Sequence, residues 1–125
     1  MEFMPNNYSI TFADFLYRRF PIIEEPKYAV FWKLDNGRKI PSSAAFKTKP
    51  DEDGLSVDIA ALTTPVQTAG DITKFAVAEM SASTPIDLGY ECIHKPKPEN
   101  YAHSIIVGDT NPIAKKLSKA ITGVF

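Results

Sequence analysis

Residues 101–121 constrain this chain more than any other stretch, because an alternating apolar segment there passes through a glycine into a punctuated amphipathic one. Side chains alternate across a strand, so Tyr101, His103, Ile105 and Val107 share one face and Ala102, Ser104 and Ile106 the other. Both faces are partly apolar. That composition suits an inner strand with cover on both sides. Gly108-Asp109-Thr110 follows, then Asn111 as an N-cap and Pro112 at the first helical position, where a missing N–H costs nothing. Ile113, Leu117, Ala120, Ile121 and Val124 keep the helical period. Lys115, Lys116 and Lys119 fall off it in turns that favour positive charge, and Gly123 takes the place of a C-terminal glycine.

A strand and a helix of this kind need a sheet to pack on, and the rest of the chain supplies short segments for one. With 125 residues, of which 44% are hydrophobic, there is enough apolar material for one core but not for two ordinary domains, so residues 1–125 are expected to form a single domain. Thr11-Phe12-Ala13-Asp14 has the form of a capping box opening a short helix, with Phe12, Phe15, Leu16 and Phe20 about one turn apart and Pro21 closing it. Residues 28–34 read as an aromatic, β-branched strand, and Asn36-Gly37 as the tight turn of a hairpin. The returning segment 40–46 contains Pro41, which confines it to a short or edge strand. Leu55-Ser56-Val57-Asp58-Ile59 alternates cleanly, residues 60–71 have room for one helical turn, and strands are expected at 73–81 and 88–94. Residues 95–100, spaced by Pro96 and Pro98, form a loop. The expected architecture is α+β: a mainly antiparallel or mixed sheet of about five or six short strands, with an N-terminal and a C-terminal helix packed on it.

Taken in order, several motifs resemble a group of short bacterial single-domain proteins of uncharacterised activity. They are Arg18-Arg19, Pro41-Ser42-Ser43-Ala44-Ala45-Phe46, Leu55-Ser56-Val57, Glu79, the proline-spaced loop, His103-Ser104-Ile105-Ile106 and Lys115-Lys116-Leu117. The group shares a serine-phenylalanine segment, a leucine-serine-valine strand, a proline-rich loop, a histidine-led strand and a basic C-terminal helix. The resemblance runs from Phe15 to the last helix and implies a bacterial, single-domain protein. It implies no reaction. Cys92 and His94 stand outside the shared pattern, and aspartate is more usual where Lys95 sits.

Three constellations bear chemistry. If residues 88–94 and 101–107 pair as a symmetric hairpin, His94 opposes Tyr101 and Cys92 opposes His103, which gathers Cys92, His94 and His103 as a cysteine–histidine nucleophilic pair or as three metal ligands. Ser43, Ser56, Glu79 and His103 are polar residues embedded in apolar runs. A histidine exchanges protons near neutral pH and a carboxylate can orient it, so these four are catalytic or ligand-binding candidates. Arg18 and Arg19 are candidates for an anion, either alone or beside the free amides that open the last helix at Asn111.

A formal charge of −1 gives no global field toward nucleic acid or an acidic membrane. The single cysteine excludes an intramolecular disulfide, residues 1–7 do not read as an export signal, and no apolar run is long enough to span a bilayer, so the expected location is cytoplasmic. No motif calls for a cofactor. The function expected first is a protein-binding module. Its partner would be another protein encoded nearby, or a second copy meeting it through residues 28–34, with no membrane or nucleic-acid partner. The alternative is an enzyme or small-ligand domain built around His103 with Ser43, Ser56 and Glu79.

Overall fold

The computed structural model describes residues 8–125, so the reading of residues 1–7 lies outside it. The fold is α+β, with a six-stranded antiparallel sheet, a separate two-stranded hairpin and a few short helices. In chain order the strands are β1 (Phe15–Pro21), β2 (Trp32–Asp35), β3 (Arg38–Pro41), β4 (Gly54–Ile59), β5 (Phe75–Ser81), β6 (Cys92–His94), β7 (His103–Val107) and β8 (Gly123–Val124). The main sheet runs β6-β7-β4-β1-β5-β8, and β2 pairs with β3. The histidine-bearing strand β7 is an inner strand, as its two apolar faces predict.

Register divides the main sheet into two faces. Leu16 opposes Ile59 and Met80, and Leu55 opposes Ile106, so these side chains share one face and are buried there with Phe20 and Val57. Beneath them lie the 3-10 turn Ser43–Phe46, which contributes Ala45 and Phe46, and the helix α4 (Ala114–Lys119), which contributes Ala114 and Leu117. Thr110 ties these two pieces together by donating its hydroxyl to the Phe46 carbonyl at 2.5 Å. Where β4 meets β7 the backbones come so close that a Cβ on Gly54 would run into the Ile106 carbonyl, and only glycine fits.

The first expected helix is a strand. Leu16 and Phe20 stand four apart, a spacing that suits one helical turn and two strand repeats equally well. The residue between them, Arg18, turns inward too, and its charge hides the alternation. Its Nε donates to the Ala45 carbonyl and its Nη1 to the Ser56 carbonyl, each at 2.8 Å. Regular pairing of β1 with β4 is limited to Leu16 with Ile59 and Tyr17 with Asp58, and the guanidinium satisfies the Ser56 carbonyl beyond that point. Thr11 and Asp14 do bond to each other, the Thr11 amide donating to Asp14 Oδ2 at 2.8 Å and the Asp14 amide to the Thr11 carbonyl at 3.1 Å. They close a turn before the strand rather than open a helix.

Other boundaries also shift. Within 28–34 only the end is extended, because Pro26 opens a helical turn, α1 (Pro26–Ala29), in which the Tyr28 and Ala29 amides donate to the Glu25 carbonyl. Asn36 and Gly37 make the expected hairpin turn with φ of 52° and 77°. Residues 60–71 hold a 3-10 turn, Ala60–Leu62, and α2 (Pro65–Ala69). Thr64 caps α2 by accepting from the Gln67 amide. The front half of the strand expected at 88–94 is displaced by α3 (Ser83–Asp87) and its exit turn. The last helix is shorter than its period suggests: it starts as a 3-10 turn at Asn111–Ile113, ends at Lys119, and releases Gly123 into β8 beside β5. Among the described residues no helix is long and apolar enough to cross a membrane.

Candidate functional site

The face of the sheet turned away from the core carries a row of ionisable side chains at right angles to the strands. His103 on β7 opposes Asp58 on β4, Asp58 opposes Tyr17 on β1, and Tyr17 opposes Glu79 on β5. Ser56 stands two residues along from Asp58, on the same face. Each of these residues occupies the polar position of an alternating strand. The row therefore forms as a by-product of burying Leu16, Leu55, Val57 and Met80 on the other side.

His103 is oriented by two contacts. Its Nδ1 lies 2.8 Å from the Lys95 carbonyl, which can only accept, so Nδ1 carries the proton. That leaves the Nε2 lone pair facing the Ser56 hydroxyl at 3.3 Å, and the hydroxyl donates. Asp58 is buried yet makes no salt bridge among the described residues. Thr68 donates its hydroxyl to Oδ2 and Asn100 its amide to Oδ1, each at 2.8 Å. Both donors come from elements that wall the row, α2 on one side and the 95–100 loop on the other.

Between these walls is an open cavity of about 800 Å³, floored by Tyr17, Ser56, Asp58 and His103 and edged by Arg19, Gln67, Thr68, Lys97 and Asn100. The Arg19 guanidinium lies flat on Phe75, 4.2 Å from the ring centre. Burial, and then the nearby charge of Glu79, raise the Tyr17 phenol above its ordinary value, so it stays a hydrogen-bond donor at neutral pH. A smaller cavity of about 330 Å³ lies on the other side of His103, against Asp53, Pro96 and Ile105, and the two cavities have Ser56, Lys97 and His103 in common.

Of the four embedded polar candidates, His103 and Ser56 come together. Glu79 lies in the same row but three strand spacings away, about 14 Å, where its carboxylate accepts from the Thr122 hydroxyl at 2.7 Å. Ser43 starts the 3-10 turn under the opposite face. The cysteine–histidine grouping does not form. β6 and β7 pair with Cys92 against Ile106 and His94 against Ser104, a register that puts Cys92 and His94 on the core face and His103 on the outer one. Burial raises the Cys92 thiol to about 11, which keeps it protonated. His94 is a buried structural residue: its Nδ1 accepts the Tyr8 amide at 2.7 Å and its Nε2 donates to the Tyr101 carbonyl at 2.5 Å. No group of three histidine, cysteine or acidic side chains among the described residues stands close enough to hold a metal ion. Arg18 and Arg19 point to opposite faces, and the Asn111 amide donates to Asp109 Oδ1 at 2.9 Å, so the expected anion site at that turn is filled by the chain itself.

Sequence reasoning did not single out Asp58, Tyr17, Thr68 or Asn100. Asp58 had a usable signal, the polar phase of a clean alternation shared with Ser56. Thr68 and Asn100 had none, since loop closure alone brings them to the carboxylate.

Fold and site define an antiparallel α+β domain with an open polar groove on the outer face of its sheet, between α2 and the 95–100 loop. Comparison with protein families, with curated proteins and with solved structures finds no match.

Proposed function

We propose that this domain binds a small polar ligand in the outer groove, with His103 as the group that accepts a proton or hydrogen bond from it. The observation that carries this reading is the fixed tautomer of His103, whose Nε2 lone pair meets the Ser56 hydroxyl in the lining of an open, polar cavity. Tyr17, Gln67, Lys97 and Asn100 offer both donors and acceptors around it, as a site for a hydroxylated or carbonyl-bearing molecule requires. A ligand-observed NMR screen of polar fragments tests it. Hits should shift the His103 imidazole protons and should vanish in His103→Asn, whose amide keeps the donor to Lys95 but removes the Nε2 acceptor. Hits that ignore that substitution, or no hits at all, would overturn the reading.

We propose as a second reading that a protein partner docks on the cleft of about 390 Å³ between α2 and β8. Val66, Ile72 and Phe125 line it and remain 65%, 63% and 58% exposed, while Arg38 and Lys39 stand at its rim. Exposed large apolar side chains gathered on one patch mark interaction surfaces. A photo-crosslinking residue at position 66 should trap one product that Phe125→Asp abolishes; absence of such a product removes this reading.

A further inference from the structure

Resting on the groove reading above, we propose that Ser56 is the nucleophile of an acyl-transfer site and that the domain hydrolyses carboxylic esters with a polar larger arm. Three observations combine. Ser56 Oγ lies 3.3 Å from His103 Nε2, the looser spacing that nucleophile–base pairs show before substrate tightens them. The imidazole cannot swivel away, because its other nitrogen is tied to the Lys95 carbonyl at 2.8 Å. Finally, Ser56 and His103 line both cavities, so each of the two opens onto the serine.

The larger cavity has mostly polar lining from Tyr17, Gln67 and Thr68, whereas Pro96 and Ile105 give the smaller one an apolar side. One polar arm and one compact, less polar arm describe the substrate. Lys97 borders both cavities and makes no salt bridge among the described residues, so its ammonium is available to the oxyanion.

The step balances with water as the only co-reactant. Ser56 Oγ attacks the carbonyl carbon, its proton passes to His103 Nε2, and the carbonyl π pair moves onto oxygen. Collapse of that intermediate breaks the bond to the alcohol, which leaves with the proton from Nε2. Water then attacks the acyl–Ser56 ester, gives a proton to Nε2, and Ser56 departs with that proton, leaving the free acid. Asp58 stands opposite His103 in the pairing, on the same face of the sheet as the imidazole that carries the proton twice in the cycle.

A fluorophosphonate probe followed by peptide mass spectrometry tests the proposal on the intact chain. One adduct is expected, on the peptide carrying Ser56. Ser56→Ala should abolish it, and His103→Asn should slow labelling by about 100-fold or more, the usual contribution of a general base. Ser56→Cys supplies a near-isosteric control. Its new thiol should alkylate with iodoacetamide at least about tenfold faster than in Ser56→Cys/His103→Asn, because the imidazole raises its thiolate fraction. If no adduct forms on Ser56 while fragments still shift His103, the acyl-transfer proposal fails and the groove reading stands. If neither adduct nor fragment shift appears, both fail.

Discussion

Arg18 and Arg19 are neighbours in sequence, yet the strand sends them to opposite faces, and their replacement should have very different consequences. Arg18→Ala would strip the hydrogen bonds from two enclosed carbonyls, those of Ala45 and Ser56. An unpaired acceptor costs about 1–3 kcal/mol, so the two together cost about 4 kcal/mol. Loss of two packed methylenes adds about 2 kcal/mol at ~0.8 kcal/mol each. Against this, burial has already pulled the guanidinium from 12.5 down to about 10, and at about 1.4 kcal/mol per pH unit its removal returns about 3.5 kcal/mol. The expected net loss is about 2.5 kcal/mol. Arg18→Met restores the stem and should lose only about 0.5 kcal/mol. Arg19→Ala gives up an exposed cation–π contact with Phe75 and should cost about 0.5–1 kcal/mol. Urea unfolding of the three variants, followed by tryptophan fluorescence from Trp32, reads all of these values. If Arg18→Ala and Arg19→Ala both lose less than 1 kcal/mol, or the order is reversed, then Arg18 does not close the gap between β1 and β4.

Gly54→Ala should destabilise by about 3 kcal/mol, at the upper end of overpacking costs, because the methyl group must push β4 from β7; an unchanged urea midpoint would contradict that close approach. Thr68→Val and Asn100→Ala each remove a donor to the enclosed Asp58 carboxylate and should cost about 1.5–3 kcal/mol, readable as lowered melting temperatures at neutral pH. Because burial raises the Cys92 thiol to about 11, the folded state disfavours the thiolate. The stability this contributes is complete below the unfolded thiol's ordinary value and is lost as pH rises toward 11. Native Cys92 should therefore alkylate at pH 8 at least about tenfold more slowly than a small free thiol, and an equal rate would show that it is not enclosed.

The strands of lowest ambiguity were legible because their alternation was unbroken. Leu55-Ser56-Val57-Asp58-Ile59 and the segment around His103 could satisfy a core only as strands, and Asn36-Gly37 could close only a tight turn. β1 was illegible for one reason, that a charged residue takes an inward position and finds its partners on elements 27 and 38 residues away. The shortened last helix has a related cause. The period ran on through Ile121 and Val124, but β5 offers an open edge, and residues 122–125 bond to Glu79 and Val77 instead of continuing the helix.

For the site, local chemistry identified His103 and Ser56 as polar residues set in apolar strands, and that much is a property of the chain alone. Their meeting was decided by pairing in the folded sheet. A strand's period of two settles which residues share a face, whereas the neighbour across the sheet depends on register and strand order, which no single strand encodes. The same freedom separates Cys92 from His103, since the pairing that sets Cys92 against Ile106 reverses the face on which a thiol would have met an imidazole.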